Sequence, residues 1–388
     1  MRRRRRHRRS SKRILILSAA AVCITAAGYK SLPGIAAAAG RLGEIKITFE
    51  NEPDNYTGEN DFNFQSILGE EDIISSGYGW SEEEMNEDSA VDASGEIGPK
   101  PYPSKWNTGD GSVYKYTFER YSGEKYIGLE GGGQVRNETD ISNAALLEES
   151  KNLPDFQIEL NDKPQVLIMH THTTESFEPF ERENFDSSFN YRTTESSKNV
   201  VMIGNEITKQ IENAGISVIH DTTIHDYPSY NGSYERSAET VKKILRDNPS
   251  IKVVLDIHRD AIGTNESIMQ PTVEINGKDA APIMIISGCD DGTMDMPDYM
   301  KNFRFASLLQ QQISSDYQGL ARPILFDYRK YNQDLTTGSL LIEVGTHGNT
   351  LEQVKYTGEL LGKSIAKSLI SISAVSYTHL RAHETRSN

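Results

Sequence analysis

From about residue 155 onward, short apolar runs alternate with apolar stripes at helical spacing. Val166 to Met169 is a four-residue apolar run, the pattern of a strand buried on both faces. Asn199 to Ala214 carries Val200, Ile203, Ile207 and Ile211 three or four positions apart, and Gly215 follows where a helix end favours glycine. Ile216 to His220 reads as the next strand. Glu235 to Arg246, with Ala238, Val241 and Leu245 on one side, reads as a helix that stops ahead of Pro249. Ile251 to His258, Ala281 to Gly288, Arg322 to Phe326 and Ser339 to Gly345 are further strands; Asn302 to Ser314 and Thr350 to Ile370 are further helices. This alternation predicts an α/β fold over 151–373, a mainly parallel sheet flanked by helices. Upstream, Ser112 to Tyr121 alternates, with Tyr114, Tyr116 and Phe118 on one face, and a glycine turn stands at Gly131 to Gly133. The expectation there is a small β segment over 110–150. The three glycines lack the Lys-Ser/Thr of a phosphate loop.

The first 100 residues lack these periods. Residues 1–13 hold nine Arg or Lys and no acid, and the apolar stretch Ile14 to Gly28 follows directly. That order predicts an export signal or a single membrane anchor within 1–42, with the basic end kept in the cytoplasm and the body outside. Glu44 to Pro99 has 16 acidic residues and one basic one, Lys46. Segment 43–109 therefore reads as a disordered acidic spacer. The chain as a whole carries a net charge of −15, and an acidic body argues against nucleic acid as a partner. Only Cys23 and Cys289 occur, and Cys23 lies in the apolar stretch, so no internal disulfide is expected.

Candidate chemistry sits where apolar runs stop. In parallel sheets, sites collect at the carboxyl ends of strands. Val166 to Met169 runs into His170, His172 and Glu175; Ile251 onward ends in Asp256 and His258; the last strand carries Glu343. If these strands are neighbours, their ends converge. His172-x-x-Glu175 with a distant His258 supplies two imidazoles and a carboxylate, the donor set of a catalytic zinc site with one position open for water. Glu343 is then placed to accept the water's proton. Asp256, two residues from His258 on the same strand face, is suited to orient an imidazole from behind. Ser176 and Ser339 lack the G-x-S-x-G setting of a serine hydrolase, and Cys289 reads as a packed thiol.

Five stretches together, LIMHTHTTESF, NVVMIGNEI, HDYPSYNGSYERS, DIHRDA and LIEVGT, resemble the stage II sporulation protein P family over roughly residues 110–372. The resemblance implies a membrane-anchored peptidoglycan hydrolase acting in engulfment, similar to zinc N-acetylmuramoyl-L-alanine amidases. It implies cleavage of the amide between muramic acid and L-alanine, and possible endopeptidase action on cross-links. It also implies Zn2+ as cofactor, with the stage II sporulation proteins D and M as partners. By the same resemblance, His258 is a ligand and Glu343 the catalytic carboxylate. The first strand departs from the amidase pattern, leaving His170 or His172 as a ligand, with His172 favoured. Glu175 competes with Glu195, which stands just before the first helix. Arg259 and Asp260 are expected to meet substrate, and HDYPSYNGSYERS to form either a site wall or a structural loop around Tyr227, Tyr230 and Tyr234. Residues 374–388 match nothing in the family and read as a non-native tail. A zinc carboxypeptidase or endopeptidase on stem peptides, and a non-catalytic wall-binding scaffold, stand as alternatives.

Overall fold

The structure, a computed structural model, describes residues 101–106, 109, 111–264 and 266–373. The basic start, the apolar segment, most of the acidic spacer and the tail lie outside the described residues. In chain order the strands are β1 (Gly111–Tyr116), β2 (Tyr126–Gly128), β3 (Gln134–Asn137), β4 (Val166–Met169), β5 (Asn184–Phe185), β6 (Val218–His220) and β7 (Val253–Asp260). They continue with β8 (Ser267–Pro271), β9 (Val273–Ile275), β10 (Lys278–Ala280), β11 (Ile283–Gly288), β12 (Ile324–Asp327) and β13 (Gly338–Thr346). The helices are α1 (Asn143–Glu149), α2 (Val201–Asn213), α3 (Ser233–Asp247), α4 (Tyr299–Asp316) and α5 (Leu351–Ser371).

Eight strands form one sheet in the order β2-β3-β12-β11-β13-β7-β4-β6. Neighbours are parallel except at β2–β3 and β11–β13. The mainly parallel α/β architecture expected from the apolar pattern is therefore present. The apolar strands form because alternate side chains point to opposite faces and both faces are covered. Val166, Ile168, Val253, Leu255, Ile257, Leu340 and Ile342 belong to the large core under α2, α4 and α5. Leu167, Met169 and Val254 belong to a smaller cluster with Val241 of α3. Each such side chain removed from water contributes roughly 1.5–3 kcal/mol, so the large core anchors the sheet and the α3 face is the lightly covered one.

Helix α5 is positioned by its ends and by two glycines. Thr350 caps it, its side chain accepting from the Gln353 amide while Gln353 reaches back to the Thr350 N–H. Gly358 and Gly362 let it approach α2 closely. A Cβ on Gly362 would stand 2.9 Å from Ile207 Cα and 3.0 Å from its carbonyl oxygen.

Two expected boundaries move. Residues 110–150 are no separate segment: β2 and β3 extend the main sheet beside β12, while β1 pairs with β5 and β8 in a three-stranded sheet. The spacer expected to run to residue 109 is packed at its end. Tyr102 and Trp106 join Phe185, Phe189, Tyr191 and Ile268, and the Tyr102 hydroxyl donates to the Phe177 carbonyl at 2.9 Å. Gly131 to Gly133 make the turn between β2 and β3, with Gly132 and Gly133 at positive φ. Among the described residues no helix is long and apolar enough to cross a membrane.

Candidate active site

The three strands that end in polar residues are neighbours, β13-β7-β4. In the β13–β7 ladder Glu343 pairs with His258, and in the β7–β4 ladder Asp256 pairs with Met169. Two-residue periodicity then decides which side chains meet. Val254, Asp256 and His258 alternate with the core residues Val253, Leu255 and Ile257, so Asp256 and His258 face the α3 side, away from the large core. Glu343 lies between Ile342 and Val344 of that core and faces the same way.

His170 follows Ile168 in the other parity. It is fully buried beneath α2, with Nδ1 2.9 Å from the Ile257 carbonyl and Nε2 2.9 Å from Nε2 of His220. Burial and the neighbouring His220 lower its pKa to about 3. Gly204 of α2 makes the space, since a Cβ there would stand 2.8 Å from His170 Nε2. The structure thus leaves His170 out of the group formed by His172, because β4 ends at Met169 and the chain turns through Thr171–Thr174 rather than continuing as a strand.

That turn carries His172 to the α3 side. Its ring stacks on Tyr230 at 4.5 Å and 5°, meets Tyr234 edge-on at 5.4 Å, and meets His258 edge-on at 5.2 Å. The Tyr230 hydroxyl lies 3.1 Å from His172 Nε2. Burial first, then the charges of His258 and nearby arginines, hold His172 well below its usual pKa, so the imidazole is neutral. The stretch around Tyr230 and Tyr234 is a wall of the site, while Tyr227 points outward at 46% exposure.

Glu175 reaches His258, with Oε2 3.6 Å from Nδ1, and the same oxygen accepts from the Arg259 amide at 3.1 Å. Glu195 instead stays at the surface and accepts from the Tyr102 amide at 2.8 Å. The structure therefore gathers His172, Glu175, His258 and Glu343, and leaves Glu195 aside. Asp256 stands behind His258: Oδ1 lies 2.8 Å from Nε2, a contact of charge, since the ring N–H is not aimed along it. Asp256 is itself fixed by the Thr171 amide at 2.8 Å and hydroxyl at 2.7 Å. Burial disfavours charge on His258, yet Asp256, Glu175 and Glu343 outweigh it and raise the pKa to about 10. This corner of the molecule favours positive charge. Glu343 Oε2 is buried with no hydrogen-bond partner among the described residues. Burial, with the charges of Asp260 and Glu175, raises its pKa to about 8 against the pull of His258.

Arg259 and Asp260 were expected to meet substrate, but their polar atoms are already engaged. Arg259 donates to the carbonyls of Ser176, Tyr191 and Asp260. Asp260 accepts from Arg322 at 2.7 Å and from the Ala261 amide at 2.8 Å. Arg192, which the spacing of motifs did not single out, lies in the site. Its Nη1 pairs with Asp226 at 2.8 Å, Nη2 stands 3.7 Å from Glu175, and its guanidinium covers the Tyr230 ring at 4.7 Å. It sits in an irregular loop, where no period marks it; its nearness to Glu195 along the chain was the only signal. Cys289 is buried, its thiol pushed up to about 12 by burial and three aspartates, so it packs rather than reacts. His225 is held between the His170 carbonyl and Thr240.

The donor chemistry here, two imidazoles beside two carboxylates with an orphaned carboxylate oxygen, suits a divalent cation of the zinc type. Among the described residues, no three His, Cys, Asp or Glu side chains are arranged as a ready metal cluster. His172 and His258 turn their Nε2 atoms to Tyr230 and Asp256 respectively.

Fold and site together define an α/β protein with a histidine–carboxylate site at the carboxyl ends of three adjacent parallel strands. A family model, Stage II sporulation protein P, matches residues 115–366. The chain belongs to that family. Stage II sporulation protein P of Bacillus subtilis (strain 168) is 30% identical over 205 residues, an alignment covering 50% of this chain and 48% of that protein. The chain thus aligns with about half the length of that curated relative. Among solved structures, N-acetylmuramoyl-L-alanine amidase AmiC2 of Nostoc punctiforme is 12% identical, covering 54% of this chain and 98% of that one at a TM-score of 0.32. The N-acetylmuramoyl-L-alanine amidase from Clostridium difficile 630 is 17% identical, covering 54% and 97% at a TM-score of 0.31.

Proposed function

We propose that the protein is a zinc-dependent peptidoglycan amidase of sporulation, cutting the amide between the muramic acid lactyl group and L-alanine. The observation that carries this reading is the meeting of His172, Glu175, His258 and Glu343 on one face of adjacent strand ends. His172, Glu175 and His258 are the residues that would hold the metal. Bound there, Zn2+ would supply a Lewis acid for the amide carbonyl. Glu343 Oε2 takes the proton of the attacking water and returns it to the leaving amine. Asp256, clamped by Thr171, fixes the His258 ring from behind. Tyr230 and Tyr234 fix the His172 ring and shield that side from water. Arg192 holds Glu175 and the Tyr230 wall in place.

The family membership supports a role in engulfment, with the stage II sporulation proteins D and M as partners. The basic start and apolar stretch support a membrane location with the site outside the cytoplasm. The test uses the full chain on purified peptidoglycan, with added zinc or with a chelator. Zinc-dependent appearance of L-alanine amino groups is the expected result. Severed cross-links without new L-alanine termini would replace the amidase reading by the peptidase one, and no product with zinc and partner D both present would overturn hydrolysis altogether.

A further inference from the structure

The loop ahead of α3 brings a proton donor onto one of the candidate ligands. The Tyr230 hydroxyl lies 3.1 Å from His172 Nε2, and Ser233 Oγ lies 3.5 Å from Nδ1 of the same ring. Ser233 decides which way these protons run. Its hydroxyl donates to the Tyr230 carbonyl at 2.5 Å, and a carbonyl only accepts. Ser233 Oγ can therefore only accept from Nδ1–H. A neutral imidazole has one N–H, so Nε2 carries the lone pair and the Tyr230 O–H donates to it. Nε2 is then the nitrogen open to a divalent cation, and the phenol proton covers it. The phenol is firmly held in this position. Its ring stacks on His172 and lies under the Arg192 guanidinium at 4.7 Å. Arg236 of α3 pins the loop backbone, donating to the carbonyls of His225 at 2.6 Å, Ser229 at 2.6 Å and Asn231 at 2.9 Å. Ser229 and Asn231 flank Tyr230 directly. Other donors nearby are committed elsewhere: Arg259 to three carbonyls and Arg192 Nη1 to Asp226.

We propose that Tyr230 is a further catalytic residue: its O–H leaves His172 when a cation takes Nε2, and then donates to the oxygen of the scissile amide. This role rests on the amidase reading above. Attack of water on the amide carbon moves negative charge onto that oxygen. A donor fixed in advance stabilises the charged oxygen more than it stabilises the flat amide. No bond to the phenol oxygen is made or broken, and the proton stays on Tyr230. Two features suit the hydroxyl to this task. It reaches the site along the ring of a candidate ligand, so it stands beside whatever that nitrogen holds. Its present hydrogen bond is also one that cation binding itself undoes, so the donor comes free as the site becomes competent. The stack on His172, the Arg192 cover and the Arg236 clamp keep the phenol in place once that bond is lost.

Tyr230→Phe removes the oxygen and keeps the stacked ring. The full chain and this variant are compared in zinc affinity, by competition with a chromophoric chelator, and in release of L-alanine amino groups from solubilised peptidoglycan strands. The variant should melt with the parent and hold zinc as tightly or more tightly, because only a competitor for Nε2 has gone. Its kcat should fall about 100-fold or more, the usual worth of one oxyanion donor. KM should stay within about twofold, since the bond is made in the transition state rather than with bound substrate. Zinc affinity weakened by about tenfold or more would make the phenol an outer support of the His172 ring and overturn the proposal. An unchanged kcat overturns it as well. A parent chain that binds zinc but releases nothing sinks the amidase reading and this role together. Equal release by the parent and by Tyr230→Phe sinks this role alone and leaves the amidase standing.

Discussion

Glu343 has a buried carboxylate oxygen that nothing hydrogen-bonds among the described residues, a costly arrangement unless the oxygen has work to do. Glu343→Gln should therefore lower the rate of L-alanine release by about 100- to 10,000-fold, the usual worth of a positioned general base. Its unfolding midpoint should stay level or rise, because burial already disfavours the charged carboxylate and the amide never carries that charge. A rate assay paired with thermal melting separates the two effects. Asp256 behaves oppositely. It is buried, paired with His258 and bonded twice by Thr171, so in the metal-free chain Asp256→Ala strands a buried imidazolium. The expected cost is about 3–5 kcal/mol in urea unfolding, and a variant as stable as the parent would refute the clamp. At this scale the sequence was informative where polar residues interrupt apolar runs: His172, His258, Glu175 and Glu343 stand at such breaks. Parity could also have removed His170, since it follows Val166 and Ile168 onto the core face. Arg192, Asp226 and the stacking of Tyr230 on His172 were illegible because irregular loops bring them together, and loops carry no period.

At the scale of elements, most boundaries were visible because both sheet faces are buried and the longer helices carry apolar stripes; α1, with only Leu146 buried, gave no such signal. What escaped were short pieces whose mixed polar and apolar residues show no clear period. β8 and the two-residue β5 are examples, found only by their register against β1. The β9–β10 hairpin was legible in principle: Asn276 and Gly277 both take positive φ, as its tight turn requires. Packing between α2 and α5 makes a sharp prediction. Gly362→Val would press a branched side chain onto the Ile207 backbone, so despite better helix propensity it should destabilise by about 1–3 kcal/mol; equal stability would mean the helices slide apart at no cost. Asp316 at the end of α4 ties to α5 through Ser364 and Lys367, each at 2.7 Å. Burial alone would raise its pKa, but those partners lower it. A carboxylate depressed on folding adds stability that is present above the unfolded pKa, about 3.9, and is lost as pH falls through the folded value. Asp316→Asn should thus cost about 1 kcal/mol at pH 7, allowing for solvent near Lys367, and nothing near pH 2. Urea curves of both chains at the two pH values check this.

At the scale of the whole molecule, composition suggested a spacer running to residue 109, yet among the described residues Tyr102 and Trp106 are already packed. The acidic run upstream of Pro99 dominates any window that includes residues 101–106, so two aromatics in a polar context read as spacer. They are nonetheless a strap. Tyr102 meets Trp106 at 5.3 Å and Phe189 at 5.4 Å, while Trp106 meets Phe189 at 5.4 Å and lies under Arg182 at 4.7 Å. The Tyr102 hydroxyl and amide reach the carbonyl of Phe177 and the carboxylate of Glu195. Those two contacts hold the ends of the loop that carries Arg192, three residues before Glu195, and lie two residues beyond Glu175 at the Phe177 end. The strap therefore braces the side of the candidate site that secondary structure does not. Both rings are only partly buried, so their loss should cost less than a fully buried aromatic, about 1–3 kcal/mol. A chain beginning at residue 100 should unfold at higher urea than one beginning at residue 111, and Tyr102→Ala with Trp106→Ala in the longer chain should reproduce most of the difference. The same double variant should lose lytic rate beyond its loss of folded fraction at 25 °C, since a loosened loop misplaces Glu175 and Arg192. If stability falls but the rate per folded molecule does not, the strap only covers Phe189 and Tyr191, and the loop holds Glu175 by its own contacts.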